Sequence, residues 1–201
     1  MATDDKTIAV YDEKVDAYSA AFSAAEADPS LSRFIKHLSA GATVLDLGCG
    51  PGSHAAALHA NGFEVTATDA SSAMVKQTSS HAGIAVLQAE FSELEDLDVF
   101  DGIWANFSLL HEPRSNMADH LSRIFKALKP GGIFHIGMKT GSGEGRDHLG
   151  RFYTYYSSSE LHRFLTDAGF QVIGEVAGEG AGLAGTVDPW VEILSRSSKQ
   201  A

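Results

Sequence analysis

Two acids and three glycines stand where chemistry can be done. Residues 44–58 read VLDLGCGPGSHAAAL: an apolar run carries one carboxylate, Asp46, breaks into Gly48, Gly50 and Gly52, and resumes as an alanine-rich helical pattern. Glycines at a strand-to-helix turn permit unusual backbone angles and let a ligand lie against the main chain. A dinucleotide loop would place its third glycine at position 53, which is Ser53, and no Gly-Lys-Ser or Gly-Lys-Thr ending of a phosphate loop follows. Asp46 would also face a pyrophosphate with like charge, so the turn suits a cationic group. The bland alternative is a structural turn with a solvated aspartate. Asp69 ends the next apolar segment, 23 residues after Asp46. A carboxylate near this offset accepts hydrogen bonds from ribose hydroxyls; the alternative is a cap for the helix that follows.

These residues need a scaffold, and apolar segments of alternating kind supply one. Strand-like runs fall at 43–47, 64–69, 84–88, 100–107, 133–138, 170–176 and 190–194. Helical patterns fall at 52–61, 71–80 with Ser71 or Ser72 as cap, 117–128 and 159–168, and Gly169 closes the last of them. Strands alternating with helices imply an α/β, Rossmann-like fold: a seven-stranded, mostly parallel sheet with helices on both faces. A further helix over 9–25 carries Tyr11, Tyr18 and Phe22, and forms an N-terminal cap within 1–40. It precedes a core at 41–140 and a closing region at 141–201, all within one domain. The glycine-rich stretches 140–150 and 174–185 read as loops.

Composition narrows the partners. Of 201 residues, 26 are acidic and 15 basic, a formal charge of -11, which opposes a phosphate backbone and argues against nucleic acid. Hydrophobic residues make up 44%, enough for a packed core. Cys49 is the one cysteine, so no internal disulfide forms, in keeping with a reducing cytoplasm. The start, MATDDKTIAVYDEK, lacks the basic and apolar regions of a signal peptide, and no apolar run reaches membrane length. No histidine spacing suits a metal; His54 and His59 lie five apart, off a shared helix face.

VLDLGCGPG, then VTATDAS, QAEF, FDGIWANFSLLHEP and ALKPGGIFHIG, in that order over roughly 40–140, resemble the class I S-adenosylmethionine-dependent methyltransferases. The later KTGSGEGRDHLGRFYTYYSSSEL resembles a bacterial branch of tellurite-resistance-type and other small-molecule enzymes. The resemblance implies S-adenosyl-L-methionine as cofactor, S-adenosyl-L-homocysteine as product and a small-molecule acceptor, with no obligate protein partner. It places Asp46, Gly48, Cys49, Gly50 and Gly52 around the methionine part. Asp69 would hold the ribose, and Ala70 and Met74 would pack on the adenosine. Glu90 and Phe91 would meet the adenine, although Phe91 also suits plain core. Asn106 to His111 would face the sulfonium. Tyr11 and Tyr18 would close as a lid, or simply pack their helix.

His111 is the candidate base or orienting group, since histidine moves protons near neutral pH; a structural histidine bonded to a backbone carbonyl is the alternative. Arg146, Arg151, Tyr153 and Tyr155, with Tyr156, follow the fifth strand where this class builds acceptor pockets. Paired hydrogen bonds from arginine would take an anion, unless the arginines pair with Glu144 and Asp147. The Asn-Pro-Pro-Tyr motif of nucleic-acid amino-methylating enzymes is absent; the segment here is Asn106-Phe107-Ser108-Leu109. A cofactor-binding module without catalysis, and a nicotinamide oxidoreductase disfavoured by Ser53 and Asp46, are the other readings.

Overall fold

The computed structural model describes residues 4–21 and 28–200. Period-2 burial in the strands decides the layers. Along β1 (Thr43–Leu47), Leu45 and Leu47 enter one hydrophobic cluster and Val44 enters another on the opposite face. Both faces of this strand are therefore covered, as parallel sheets require. The sheet is completed by β2 (Glu64–Asp69), β3 (Ala85–Gln88), β4 (Phe100–Asn106), β5 (Leu128–Lys139), β8 (Phe170–Ala181) and β9 (Val187–Ser197). Its order is β3-β2-β1-β4-β5-β9-β8. The pairs β1–β2, β2–β3, β1–β4 and β4–β5 are parallel, and β9 runs antiparallel to β5 and β8. The expected seven strands and mostly parallel sheet are present.

Helices form where the pattern and the caps agree. α4 (Ser53–Ala60) is alanine-rich and buries Ala55, Ala57 and Leu58; alanine favours helix and brings the backbone close to the sheet. Asn61 caps α4 at its C-terminal end. α5 (Ser72–Thr78) starts at Ser71, whose side chain accepts from the Met74 N–H. α6 (Met117–Ala127) turns Met117, Leu121 and Ile124 into the core. α7 (Ser158–Asp167) opens with a reciprocal Ser157–Glu160 capping box. A short α3 (Pro29–Ile35) buries Leu31 and Phe34 beneath the sheet face that carries Trp104.

The sequence expectations fail in three places. The single N-terminal helix is two, α1 (Asp5–Glu13) and α2 (Val15–Ala21), broken at Lys14, which leaves helical geometry; Phe22 and the rest of that expected helix to 25 include residues outside those described. The 140–150 stretch is not wholly loop: β6 (Glu144–Arg146) pairs antiparallel with β7 (Phe152–Thr154). The 174–185 stretch is mostly strand, because β8 and β9 extend into a long hairpin with Gly178 opposite Trp190. Its glycines serve packing rather than looseness: a Cβ on Gly178 would lie 2.5 Å from the Trp190 ring. Gly178→Ala is expected to expel that indole and weaken the hairpin, seen as a lower melting temperature and a changed near-ultraviolet circular dichroism signal.

Candidate active site

The strand order reverses between β1 and β4, and in open α/β sheets ligands bind at such a point, outside the carboxyl ends of the strands. There the chain builds its glycine turn. The Gly48 and Cys49 N–H groups both donate to the Thr68 carbonyl (2.8 and 2.9 Å), and Gly50 N–H donates to Asp69 Oδ2 (2.9 Å). The other Asp69 oxygen accepts from Ser71 N–H at 2.9 Å. Ser108 Oγ donates to the Leu47 carbonyl (2.7 Å) and so ties the ends of β4 and β1.

The glycines have a reason the sequence did not reveal. Gly48 and Gly52 sit at φ +77° and +83°, and a Cβ would meet Ser108 at 2.4 Å and Thr78 at 2.6 Å. Those two positions are emptied by the protein's own packing. Only at Gly50 is the neighbour, the Tyr18 ring edge, at ordinary contact distance (3.6 Å).

A cavity of about 680 Å³ opens over this turn and runs to the β8–β9 hairpin. Of the residues expected at the cofactor, Tyr11, Tyr18, Asp46, Gly48, Cys49, Gly50, Asp69, Ala70, Met74, Glu90, Phe91 and Asn106 line it; Gly52 does not. Of the acceptor-side residues, Arg151 and Tyr153 line it, and Arg146 and Tyr155 stand outside. Arg146 instead forks onto Asp4 (2.8 and 2.6 Å), and Arg151 pairs with Asp147 (2.7 Å). Phe91 serves both readings, lining the cavity while packing on the core. Asn106 closes β4 with its Oδ1 3.1 Å from His135 Nε2.

Asp46 is the electrostatic centre of one end. It is buried, its Oδ2 has no hydrogen-bond partner among the described residues, and burial lifts its pKa to about 7, with Asp69 adding to the rise and His54 opposing it. On the next strand Trp104 is its register partner. The Trp104 ring stacks on His135 at 3.6 Å, and its Nε1 also lacks a partner among the described residues. Asp69 is likewise raised by burial, against the backbone donors Ser71, Gly50 and Ala70 that stabilise its charge.

The other end is aromatic and hydrogen-bonded. His111 is buried, with Nδ1 2.6 Å from the Phe152 carbonyl and Nε2 2.7 Å from the Tyr11 hydroxyl. Arg151 donates to the same hydroxyl at 3.0 Å. The carbonyl contact fits the structural alternative considered for His111. Burial, with the charges of Arg151 and Lys139, holds the imidazole pKa down at about 4. Lys139 pairs with Asp188 (2.6 Å) and lies over the Tyr153 ring. Sequence reasoning missed Asp28, Trp104, Lys139, Asp188, Trp190 and Glu192, all of which border the cavity. Asp28 caps α3 and the others come from strands of the sheet, the hairpin included; no local motif marks them.

The donor set fits the expected cofactor. A buried carboxylate oxygen without a partner answers an ammonium or sulfonium, and Asp69 retains lone pairs for a diol. Asp46→Asn separates the two costs. The folded-state pKa lies above the unfolded one, so stability from the protonated acid is lost as pH rises from about 4 through 7. The variant is expected to be more stable than the native chain at pH 8, by the order of 2 kcal/mol, with the difference vanishing near pH 4 in urea melts. Its affinity for S-adenosylmethionine is expected to fall.

Comparison with known proteins agrees with this geometry. Residues 44–132 match the family described as methyltransferase domain. A malonyl-[acyl-carrier protein] O-methyltransferase of Salmonella typhimurium is 35% identical over 94 residues, covering 46% of this chain and 37% of that protein. The O-methyltransferase resE of Aspergillus sclerotiorum is 28% identical over 152 residues, covering 67% of this chain and 57% of its own length. The chain thus spans less than two thirds of these curated relatives. A Burkholderia thailandensis 1,6-didemethyltoxoflavin-N1-methyltransferase, solved with 1,6-didemethyltoxoflavin and S-adenosylhomocysteine, superposes with a TM-score of 0.76 at 25% identity, covering 95% of this chain and 88% of that one. Among the described residues no helix is long and apolar enough to cross a membrane. Sheet order, glycine turn and matched segment together give residues 44–132 the likeness of a methyltransferase domain, on a fold shared with the S-adenosylhomocysteine-bound enzyme.

Proposed function

We propose that the chain transfers a methyl group from S-adenosylmethionine to a small-molecule nucleophile. The observation that carries this reading is one continuous cavity with two unlike ends: an acidic glycine turn, and an aromatic wall of Phe107, Tyr153 and Trp190. Its volume lies within the range of small-molecule sites. Bound, the cofactor supplies an electrophilic methyl on a cationic sulfur. The protein's part is to hold, align and keep water away, and alignment alone contributes about 7–11 kcal/mol in favourable cases.

In this reading Asp46 answers the amino end, Asp69 the ribose, and Ala70, Met74, Glu90 and Phe91 the nucleoside. Tyr11 and Tyr18 cover the turn. The acceptor lies toward Tyr153, Trp190 and Lys139. The Burkholderia thailandensis relative, solved with 1,6-didemethyltoxoflavin, supports this class of acceptor. The likeness of 139–161 to the tellurite-resistance-type branch adds soft metalloid anions to the candidates. The acidic charge of -11 supports a partner other than nucleic acid.

The purified protein is expected to bind S-adenosylmethionine in calorimetry. Asp69→Ala should weaken binding 10- to 100-fold, the size of one or two lost hydrogen bonds to a charged group; unchanged affinity would remove Asp69 from the ribose. An S-adenosylhomocysteine release assay over thiols, metalloid anions, carboxylates, amines and phenols identifies the acceptor. Binding with no turnover anywhere on that panel is the signature of the non-catalytic module.

A further inference from the structure

For a neutral ring, the hydrogen bonds of His111 have only one consistent direction. A carbonyl oxygen only accepts, so the Phe152 contact puts the imidazole proton on Nδ1. Nε2 is then bare, and the Tyr11 O–H must donate to it. Arg151 donates to Tyr11 in turn. Both ring nitrogens are engaged inside the protein, and neither is left for a proton arriving from the cavity.

The surroundings oppose an imidazolium as well. Arg151 approaches from the segment between β6 and β7, and Lys139 from the end of β5; both are cationic and both disfavour a charged His111. The Phe152 carbonyl and Asp147, paired to Arg151, favour the charge, but burial together with the two cations outweighs them. Tyr11 on α1 and Tyr153 on β7 face the ring as neutral phenols whose ionisation burial suppresses. The group that first looks like a base is held neutral, saturated and beside two positive charges.

Resting on the methyl-transfer reading above, we propose that the acceptor is an acidic nucleophile, a phenol, enol, ring N–H or thiol, bound as its anion near Lys139, and that His111 is a positioning residue for Tyr11 rather than the base. The acceptor's proton leaves to solvent before transfer. Its lone pair then forms the bond to the methyl carbon while the carbon–sulfur pair stays on sulfur, so a cation and an anion become two neutral products. No proton remains for the protein to take. Lys139 spends one donor on Asp188 and carries three, which leaves it able to meet an anion.

The probes are 4-nitrophenol, catechol, thiophenol, uracil, benzyl alcohol and benzylamine, each with S-adenosylmethionine and the full chain. At least one acidic probe should be methylated in preference to benzyl alcohol and benzylamine. Its kcat/KM should climb with pH up to the probe's own ionisation and then level, with the same profile in His111→Gln. Because the glutamine oxygen can still accept from Tyr11, His111→Gln should keep kcat within about fivefold, and His111→Ala should mainly raise KM, by about tenfold for one lost anchoring hydrogen bond. A base would instead lose about 10²- to 10⁴-fold in kcat in both variants.

Nitrogen NMR of the cofactor-free protein gives a readout apart from turnover. His111 should carry its proton on Nδ1 and stay neutral to below pH 5, with and without 4-nitrophenol. The proposal is overturned if the proton sits on Nε2, if His111→Gln removes an inflection from the native pH profile or abolishes kcat, if benzyl alcohol or benzylamine is preferred, or if no acidic probe is methylated. Calorimetry keeps the two readings apart: failure to bind S-adenosylmethionine ends the methyl-transfer reading, whereas binding with any of the overturning results ends only this one.

Discussion

The site depends on the Asp69 carboxylate. Its two oxygens accept from Gly50 and Ser71, and so join the glycine turn after β1 to the turn after β2. A hydrogen bond to a charged acceptor contributes about 1.5–3 kcal/mol, and these two are made by a group whose burial disfavours its charge. Burial raises its pKa, and the same backbone that it organises opposes that rise. The Thr68 carbonyl takes the next two amides of the turn, and Ser108 locks β4 against β1. The cavity floor is a set of backbone groups with fixed partners, and side chains are added around it.

That arrangement explains which parts of the fold were legible in the residue order. Parallel strands buried on both faces announce themselves as short apolar runs, and the turn after β1 is marked by glycines, two of which have no room for a Cβ. The alanine-rich α4 and the capped α5 and α7 follow from propensity and local hydrogen bonds. The extended β8–β9 hairpin did not show, because its glycines carry the signature of loops. Only the cross-strand fit of Gly178 under Trp190 turns that signature into strand, and it joins residues far apart in the chain. β6 is similar: Gly145 becomes strand through its pairing with Tyr153.

The candidate site was legible in proportion to how local its residues are. Asp46, Asp69 and the turn glycines are set by neighbours in sequence. Trp104, Lys139, Asp188 and Glu192 reach the cavity through sheet register alone, and their residue types suit a dozen structural roles. The arginines show the limit of reasoning from type. Arg151 lines the cavity while paired with Asp147 and Tyr11, and Arg146 is spent on Asp4, a residue of the N-terminal segment that no spacing rule connects to it. His111 carried the right chemistry for a base, and its hydrogen-bond partners, not its identity, decide what it can accept.

α1 is fastened at both ends of the cavity. Asp12 accepts from Ser71 Oγ (2.6 Å) and the Ala73 N–H (3.0 Å) on one side. Thr7 Oγ1 accepts from the Phe152 N–H (2.8 Å) and Tyr11 meets His111 on the other. A strap anchored twice cannot lift from one compartment without loosening its hold on the second. Whatever disturbs its hold at the acidic end is thereby passed to the aromatic end, and the reverse.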